Sequence, residues 1–216
     1  DVLPALEECR NSGIKVIMAT GDSRETARAI GHNLGFVGKI ATGPEVEQWS
    51  HDTLLQHVDD ITIFARMTPK QKFRVLTALQ EKGNITAMTG DGVNDSAALK
   101  AADVGISMGI RGTDAAKQAS DIVLQDDAFS TIVAAVKEGR RVTQNIKTFL
   151  SYILSTNTGE VLTVFIGTLL ASFIGVEEAV FSAGLLLWLN LVTDGFPAVA
   201  LGVDRRSAPK PTSAFV

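Results

Sequence analysis

Met88-Thr89-Gly90-Asp91-Gly92-Val93-Asn94-Asp95 is the stretch whose reading decides the fold. It continues a short apolar run, Ile85-Thr86-Ala87-Met88, and gathers Asp91, Asn94 and Asp95 just where such a strand would end. Glycine lets the backbone turn tightly beside a phosphate, and the neighbouring threonine offers a hydroxyl donor. Carboxylates alone repel a phosphate, so this arrangement calls for a cation. Magnesium suits it, held by one or two carboxylates together with phosphate oxygens and water.

The same pattern stands earlier in the chain. Val16-Ile17-Met18-Ala19 runs into Thr20-Gly21-Asp22, and a helix is expected from Arg24 through Ile30, with Asp22 and Glu25 at capping-box spacing and Gly35 as its stop. Further strands are expected at Ile61-Thr62-Ile63-Phe64-Ala65, Val104-Gly105-Ile106-Ser107 and Asp121-Ile122-Val123-Leu124. Thr68-Pro69 opens an amphipathic helix through Leu79, and on it Lys72 can supply a fixed positive charge to a phosphoryl group in transfer. Short apolar strands alternating with helices predict an α/β domain with a parallel sheet covered on both faces. Ligands of such sheets sit beyond the carboxyl ends of the strands.

Composition narrows the function classes. The chain has 216 residues and a net charge of −4, so no basic stripe argues for nucleic acid. Cys9 is the single cysteine, which rules out an internal disulfide framework and a cysteine-based metal cluster. It reads as a small helix residue near the N-terminus. The chain starts at Asp1 in what looks like the middle of a helix, and is therefore expected to be a fragment.

Apolar residues concentrate towards the C-terminus. Over residues 149–176 the only side chain charged at neutral pH is Glu160, and over 179–203 it is Asp194. Each stretch exceeds the roughly 20 residues needed to span a bilayer. Arg140, Arg141 and Lys147 precede the first, Arg205, Arg206 and Lys210 follow the second, and Glu177-Glu178 lies between them. That distribution places both ends of a two-helix hairpin in the cytoplasm. Residues 129–147 read as a stalk helix running into the first span.

Polar groups inside a bilayer are costly and usually functional. Asn157 and Glu160 share one face of the first span; Asn190, Thr193 and Asp194 share one face of the second. Together they offer carboxylate, amide and hydroxyl oxygens of the kind a hard cation takes. Gly195 and Pro197 would loosen the second helix and free backbone carbonyls to line the site.

On these residues the chain resembles the P-type ATPases, a branch of the haloacid dehalogenase superfamily. The likeness runs through Val16-Ile17-Met18-Ala19-Thr20-Gly21-Asp22, Phe64-Ala65-Arg66-Met67-Thr68-Pro69-Lys70-Gln71-Lys72, Met88 to Asp95, the GTDAAKQASDIVLQDDAFSTIVAAVKEGR stretch of residues 112–140, and both spans. The resemblance implies a partial haloacid-dehalogenase-like parallel-sheet domain (1–128), a stalk helix (129–148), a transmembrane hairpin with an ion site (149–203) and a cytoplasmic connector (204–216). It implies that Asp91, with Asp95 close by, holds Mg2+, and that Lys72 is the superfamily lysine, Lys70 being a surface residue. Thr20, Gly21, Asp22, Arg66 and Asn94 fall where the family contacts ATP or its phosphorylated aspartate. Asn157, Glu160, Asn190, Thr193 and Asp194 are similar to the Ca2+-binding positions of sarcoplasmic-reticulum-type and bacterial calcium pumps. Thr193 stands where secretory-pathway pumps, which also carry manganese, usually have methionine.

Two departures qualify the likeness. Asn94-Asp95-Ser96-Ala97-Ala98-Leu99 lacks the proline the family commonly carries there, and no Asp-Lys-Thr-Gly-Thr run is present. The acceptor aspartate, the nucleotide and actuator domains and other membrane helices would therefore come from a longer parent, and this chain alone is expected to be inactive. Thr158-Gly159-Glu160 imitates an actuator signature but sits inside a span. The alternatives are a pump for manganese, sodium or protons, a membrane-anchored phosphatase of the same superfamily, or a non-catalytic membrane binding module.

Overall fold

The computed structural model describes residues 2–174 and 182–202. It divides into two compact units that part within one long helix, after Ala134.

In the first unit, parallel strands alternate with helices: α1 (Val2–Asn11), β1 (Met18–Ala19), α2 (Arg24–Asn33), β2 (Lys39–Thr42), α3 (Gly43–Gln48), α4 (His51–His57), β3 (Ile61–Ala65), α5 (Pro69–Glu81), β4 (Ala87–Gly90), α6 (Ser96–Ala101), β5 (Val104–Met108), α7 (Asp114–Ala119) and β6 (Ile122–Leu124). The strands form two three-stranded sheets rather than one, ordered β1-β3-β2 and β4-β5-β6, all pairs parallel. Among the described residues β1 and β4 are therefore each paired along one edge only. These are the two strands that lead into Thr-Gly-Asp.

The helix expected after the first Thr-Gly-Asp is present, but Ser23, not Asp22, caps it: the Ser23 hydroxyl accepts from the Thr26 amide, while the Asp22 carboxylate accepts the Thr20 hydroxyl. The shorter serine reaches the first turn directly. Gly35 follows the helix at φ +67°, the left-handed conformation that glycine adopts without steric cost. Thr68 and Gln71 build a reciprocal capping box behind Pro69, which starts α5 sharply.

The main core of this unit is Phe64, Leu54, Val46, Val58, Val75 and Ala78, contributed by β3 and the helices beside it. Cys9 is buried with Ala5 against Val133.

The long helix α8 (Phe129–Ile174) begins in the first unit and runs into the second without interruption. The second unit continues with α9 (Ala183–Leu189), a five-residue π-helical turn at Asn190–Asp194, and α10 (Gly195–Gly202). Phe129–Ala171 and Ala183–Gly202 are long and apolar enough to cross a membrane. Large apolar side chains such as Leu154, Phe165, Leu187 and Trp188 are exposed on them, as suits helices whose solvent is lipid. The Glu177-Glu178 turn and the basic connector, with Arg205, Arg206 and Lys210, lie outside the described residues.

Candidate phosphoryl and cation sites

The first candidate site forms at the carboxyl ends of the strands. Parallel pairing sets β1 beside β3, so the turn after β1 meets the segment after β3. The Thr20 amide donates to the Phe64 carbonyl at 2.9 Å, the Met67 amide to the Thr20 carbonyl at 2.9 Å, and the Arg66 amide to the Asp22 carbonyl at 2.8 Å. Arg66 adopts φ +51°, uncommon for a side-chain-bearing residue, and its side chain is exposed. Such strain collects where function requires a particular backbone path. Gly21 and Asp22 are likewise exposed.

Lys72, on the first turns of α5, reaches the loop after β4. Its Nζ lies 2.7 Å from Asp95 Oδ1, and the two side chains retain only 16% and 12% of their exposure. Gly90 makes room for this pair: a Cβ there would lie 2.6 Å from the Asp95 Cβ. Asp91 and Asn94, in contrast, are exposed, and among the described residues the Asp91 carboxylate has no hydrogen bond or ion pair. Its main chain is fixed, because the Thr113 amide donates to the Asp91 carbonyl at 2.8 Å. Lys70 is exposed at 85% and reaches outward to Glu47.

This donor set fits magnesium. No group of three or more metal-ligating side chains gathers among the described residues, whereas a magnesium–phosphate site asks for one or two carboxylates and leaves the other positions to phosphate and water. Asp91 is open to that role, and Asp95 is neutralised by Lys72.

The second candidate site lies in the second unit. The π-helical turn Asn190–Asp194 interrupts the apolar helix immediately before Gly195 and Pro197. Thr193 and Asp194 are partly covered, and α8 contacts both: the Tyr152 hydroxyl donates to the Thr193 carbonyl at 2.5 Å, and the Thr156 hydroxyl lies 3.3 Å from Asp194 Oδ1. The Thr193 hydroxyl donates to the Leu189 carbonyl. Asn157 and Glu160 are half-buried on α8 and, among the described residues, make no side-chain hydrogen bond to the second helix; Asn190 is exposed. Of the five side chains expected to share a cation, that of Asp194 alone meets α8 among the described residues, at Thr156, whereas Thr193 meets α8 through its backbone carbonyl, at Tyr152; residue type alone did not single out either neighbour. Tyr152, Thr156 and Glu160 follow one another at four-residue intervals on α8, a shared-face spacing that was available as a signal. Thr113, which clasps the Asp91 loop, had no such signal.

Known proteins resemble this chain along most of its length. Residues 1–103 match the family described as haloacid dehalogenase-like hydrolase. The calcium-transporting ATPase of Bacillus subtilis is 48% identical over 95% of this chain and 23% of its own length. The endoplasmic reticulum calcium ATPase srcA of Aspergillus fumigatus is 44% identical over 94% of this chain and 21% of its own. Calcium-transporting ATPase 4, endoplasmic reticulum-type, of Arabidopsis thaliana is 45% identical over 94% of this chain and 19% of its own. The chain spans about a fifth to a quarter of the length of these relatives. Along nearly its whole length, then, this chain is homologous to one segment of the P-type calcium-transporting ATPases, and its first half is a haloacid dehalogenase-like domain.

Proposed function

We propose that this chain is part of an ATP-driven pump that moves calcium across a membrane through an aspartyl-phosphate intermediate. The observation that carries the proposal is the coexistence, in one chain, of a Lys72–Asp95–Asp91 loop at the carboxyl ends of parallel strands and of Asp194 at a break in an apolar helix. Neither a soluble phosphatase nor a plain membrane anchor has use for both.

In this reading the longer parent supplies the acceptor aspartate on a further strand. The open edges of β1 and β4, each ending in Thr-Gly-Asp, are the natural places for it. Asp91 carries the magnesium that screens the phosphate, and Lys72 stabilises charge on the phosphoryl group as it transfers. Asp95 sets the position of Lys72. Thr20, Gly21, Asp22, Arg66 and Asn94 line the approach for ATP and the phosphorylated aspartate. In the membrane, Asn157, Glu160, Asn190, Thr193 and Asp194 supply oxygens to calcium, and further helices of the parent complete its coordination. The soluble unit and both ends of the hairpin lie on the cytoplasmic side, where ATP is available.

The deciding experiment measures phosphorylation of the full-length parent carrying Asp194→Asn or Glu160→Gln. Each variant is expected to lose calcium-dependent phosphorylation from ATP while still accepting inorganic phosphate in the absence of calcium. Normal calcium dependence in both would remove these carboxylates from the ion site. A changed preference for manganese, sodium or protons would keep the pump and replace the ion.

A further inference from the structure

We infer that Tyr152 is a positioning residue that holds the broken turn of the second membrane helix in its ligand-presenting shape, with Thr156 as a weaker second anchor. The inference rests on the ion-site reading above and names what keeps that site in shape. In an uninterrupted helix the Thr193 carbonyl would accept from the amide four residues on. That residue is Pro197, which has no N–H. The carbonyl instead accepts the Tyr152 hydroxyl at 2.5 Å, so a side chain of the neighbouring helix substitutes for the missing backbone donor. A carbonyl left without a donor at membrane depth is costly, and it would otherwise recruit water or pull the turn back towards regular helix.

The turn held in this way is the π-helical Asn190–Asp194, which contains three of the oxygen-bearing side chains assigned to the cation. Fixing the Thr193 carbonyl fixes the backbone from which Thr193 and Asp194 project. One turn along α8, Thr156 Oγ1 lies 3.3 Å from Asp194 Oδ1, but also 3.0 Å from the Ile153 carbonyl and 3.2 Å from the Tyr152 carbonyl. A hydroxyl has one proton to donate, so Thr156 restrains the carboxylate less firmly than Tyr152 restrains the turn.

A double-mutant cycle in the full-length pump tests this, reading the calcium concentration for half-maximal phosphorylation from ATP. Calcium-free phosphorylation from inorganic phosphate reports that each variant is folded. Tyr152→Phe removes only the hydroxyl, and is expected to raise the half-maximal calcium about tenfold, the scale of one well-placed hydrogen bond, with phosphorylation from inorganic phosphate retained. Pro197→Ala returns an amide donor to the Thr193 carbonyl, so adding Tyr152→Phe to it should change the half-maximal calcium less than about twofold. Thr156→Val should raise it by about threefold and Thr156→Ser restore it. An unchanged value in Tyr152→Phe, or the same tenfold rise in the Pro197→Ala background, overturns the inference while loss of calcium dependence in Asp194→Asn leaves the ion site standing. Normal calcium dependence in Asp194→Asn overturns the site and this inference with it.

Discussion

Asp95 and Asp194 are both partly withdrawn from solvent, and the two units of the molecule treat them differently. Asp95 has a cation of its own, Lys72 Nζ at 2.7 Å, and the pair closes over Gly90. Asp194 has only the Thr156 hydroxyl at 3.3 Å and no basic side chain among the described residues of its unit bonded to it. A carboxylate neutralised within the protein can be a fixed part of an electrostatic frame. A carboxylate in an apolar helix without that neutralisation must find a cation or a proton from outside. In the proposed function, the contrast separates the part of the chain assigned to phosphate from the part assigned to the transported ion.

The largest effect should come from the phosphate side. In the full-length parent, Asp91→Asn and Lys72→Ala are each expected to lower the rate of phosphorylation from ATP by about 10²-fold or more, because each removes one electrostatic stabiliser. Rapid-quench phosphorylation measures this, and near-normal rates in both variants would break the assignment of that loop. A stability comparison comes next. Lys72→Met leaves a buried carboxylate unpaired and should cost about 3 kcal/mol, most of it recovered by adding Asp95→Leu. Asp194→Leu, which removes a carboxylate with no basic partner among the described residues, should cost far less or stabilise. Chemical denaturation of the full chain in detergent reads all three, and equal costs for Lys72→Met and Asp194→Leu would erase the contrast.

Smaller effects probe the frame that carries the phosphate loop. A Cβ at Gly105 on β5 would lie 2.5 Å from the Leu99 carbonyl, a backbone atom with little freedom to move. Gly105→Ala should therefore destabilise the first unit by about 1–3 kcal/mol, read as a lowered denaturation midpoint. The smallest effect expected is at Asp103, which ties the residue before β4 to the start of β5. Its carboxyl is held below the ordinary carboxylate range by the Thr86 amide, then by Gln80 and the Thr86 hydroxyl. A lowered folded-state value gives stability that is present above the unfolded value of about 3.9 and lost as pH falls through the folded one. The difference between wild type and Asp103→Asn should thus be constant near neutrality and shrink on acidification below about pH 4, in denaturation midpoints taken across that range.

The sequence made the strand ends legible and left the sheet partition hidden. β3 runs over Ile61–Ala65 as its β-branched and aromatic residues require, and α5 starts at the Thr68-Pro69 signal. β2 at Lys39–Thr42 was not visible, because its four residues carry two apolar ones and make sense only against β3. The Lys72–Asp95 pair joins residues 23 apart in sequence, a contact that motif resemblance suggested only as two separate roles. The polar residues of the spans stood out against their apolar surroundings, so the candidate cation face was readable. What supports it was not: Tyr152 and Thr156 are ordinary on a membrane helix until the Pro197 break gives the first a carbonyl to hold.

Phosphorylating the full-length parent in sealed vesicles, with labelled ATP and magnesium at controlled free calcium, is the decisive test of the pump assignment. The expected result is an acid-stable, hydroxylamine-sensitive phosphoenzyme that forms only when calcium is present, together with ATP-dependent calcium uptake. A phosphoenzyme that forms equally without calcium, or ATP hydrolysis with neither phosphoenzyme nor uptake, would contradict it.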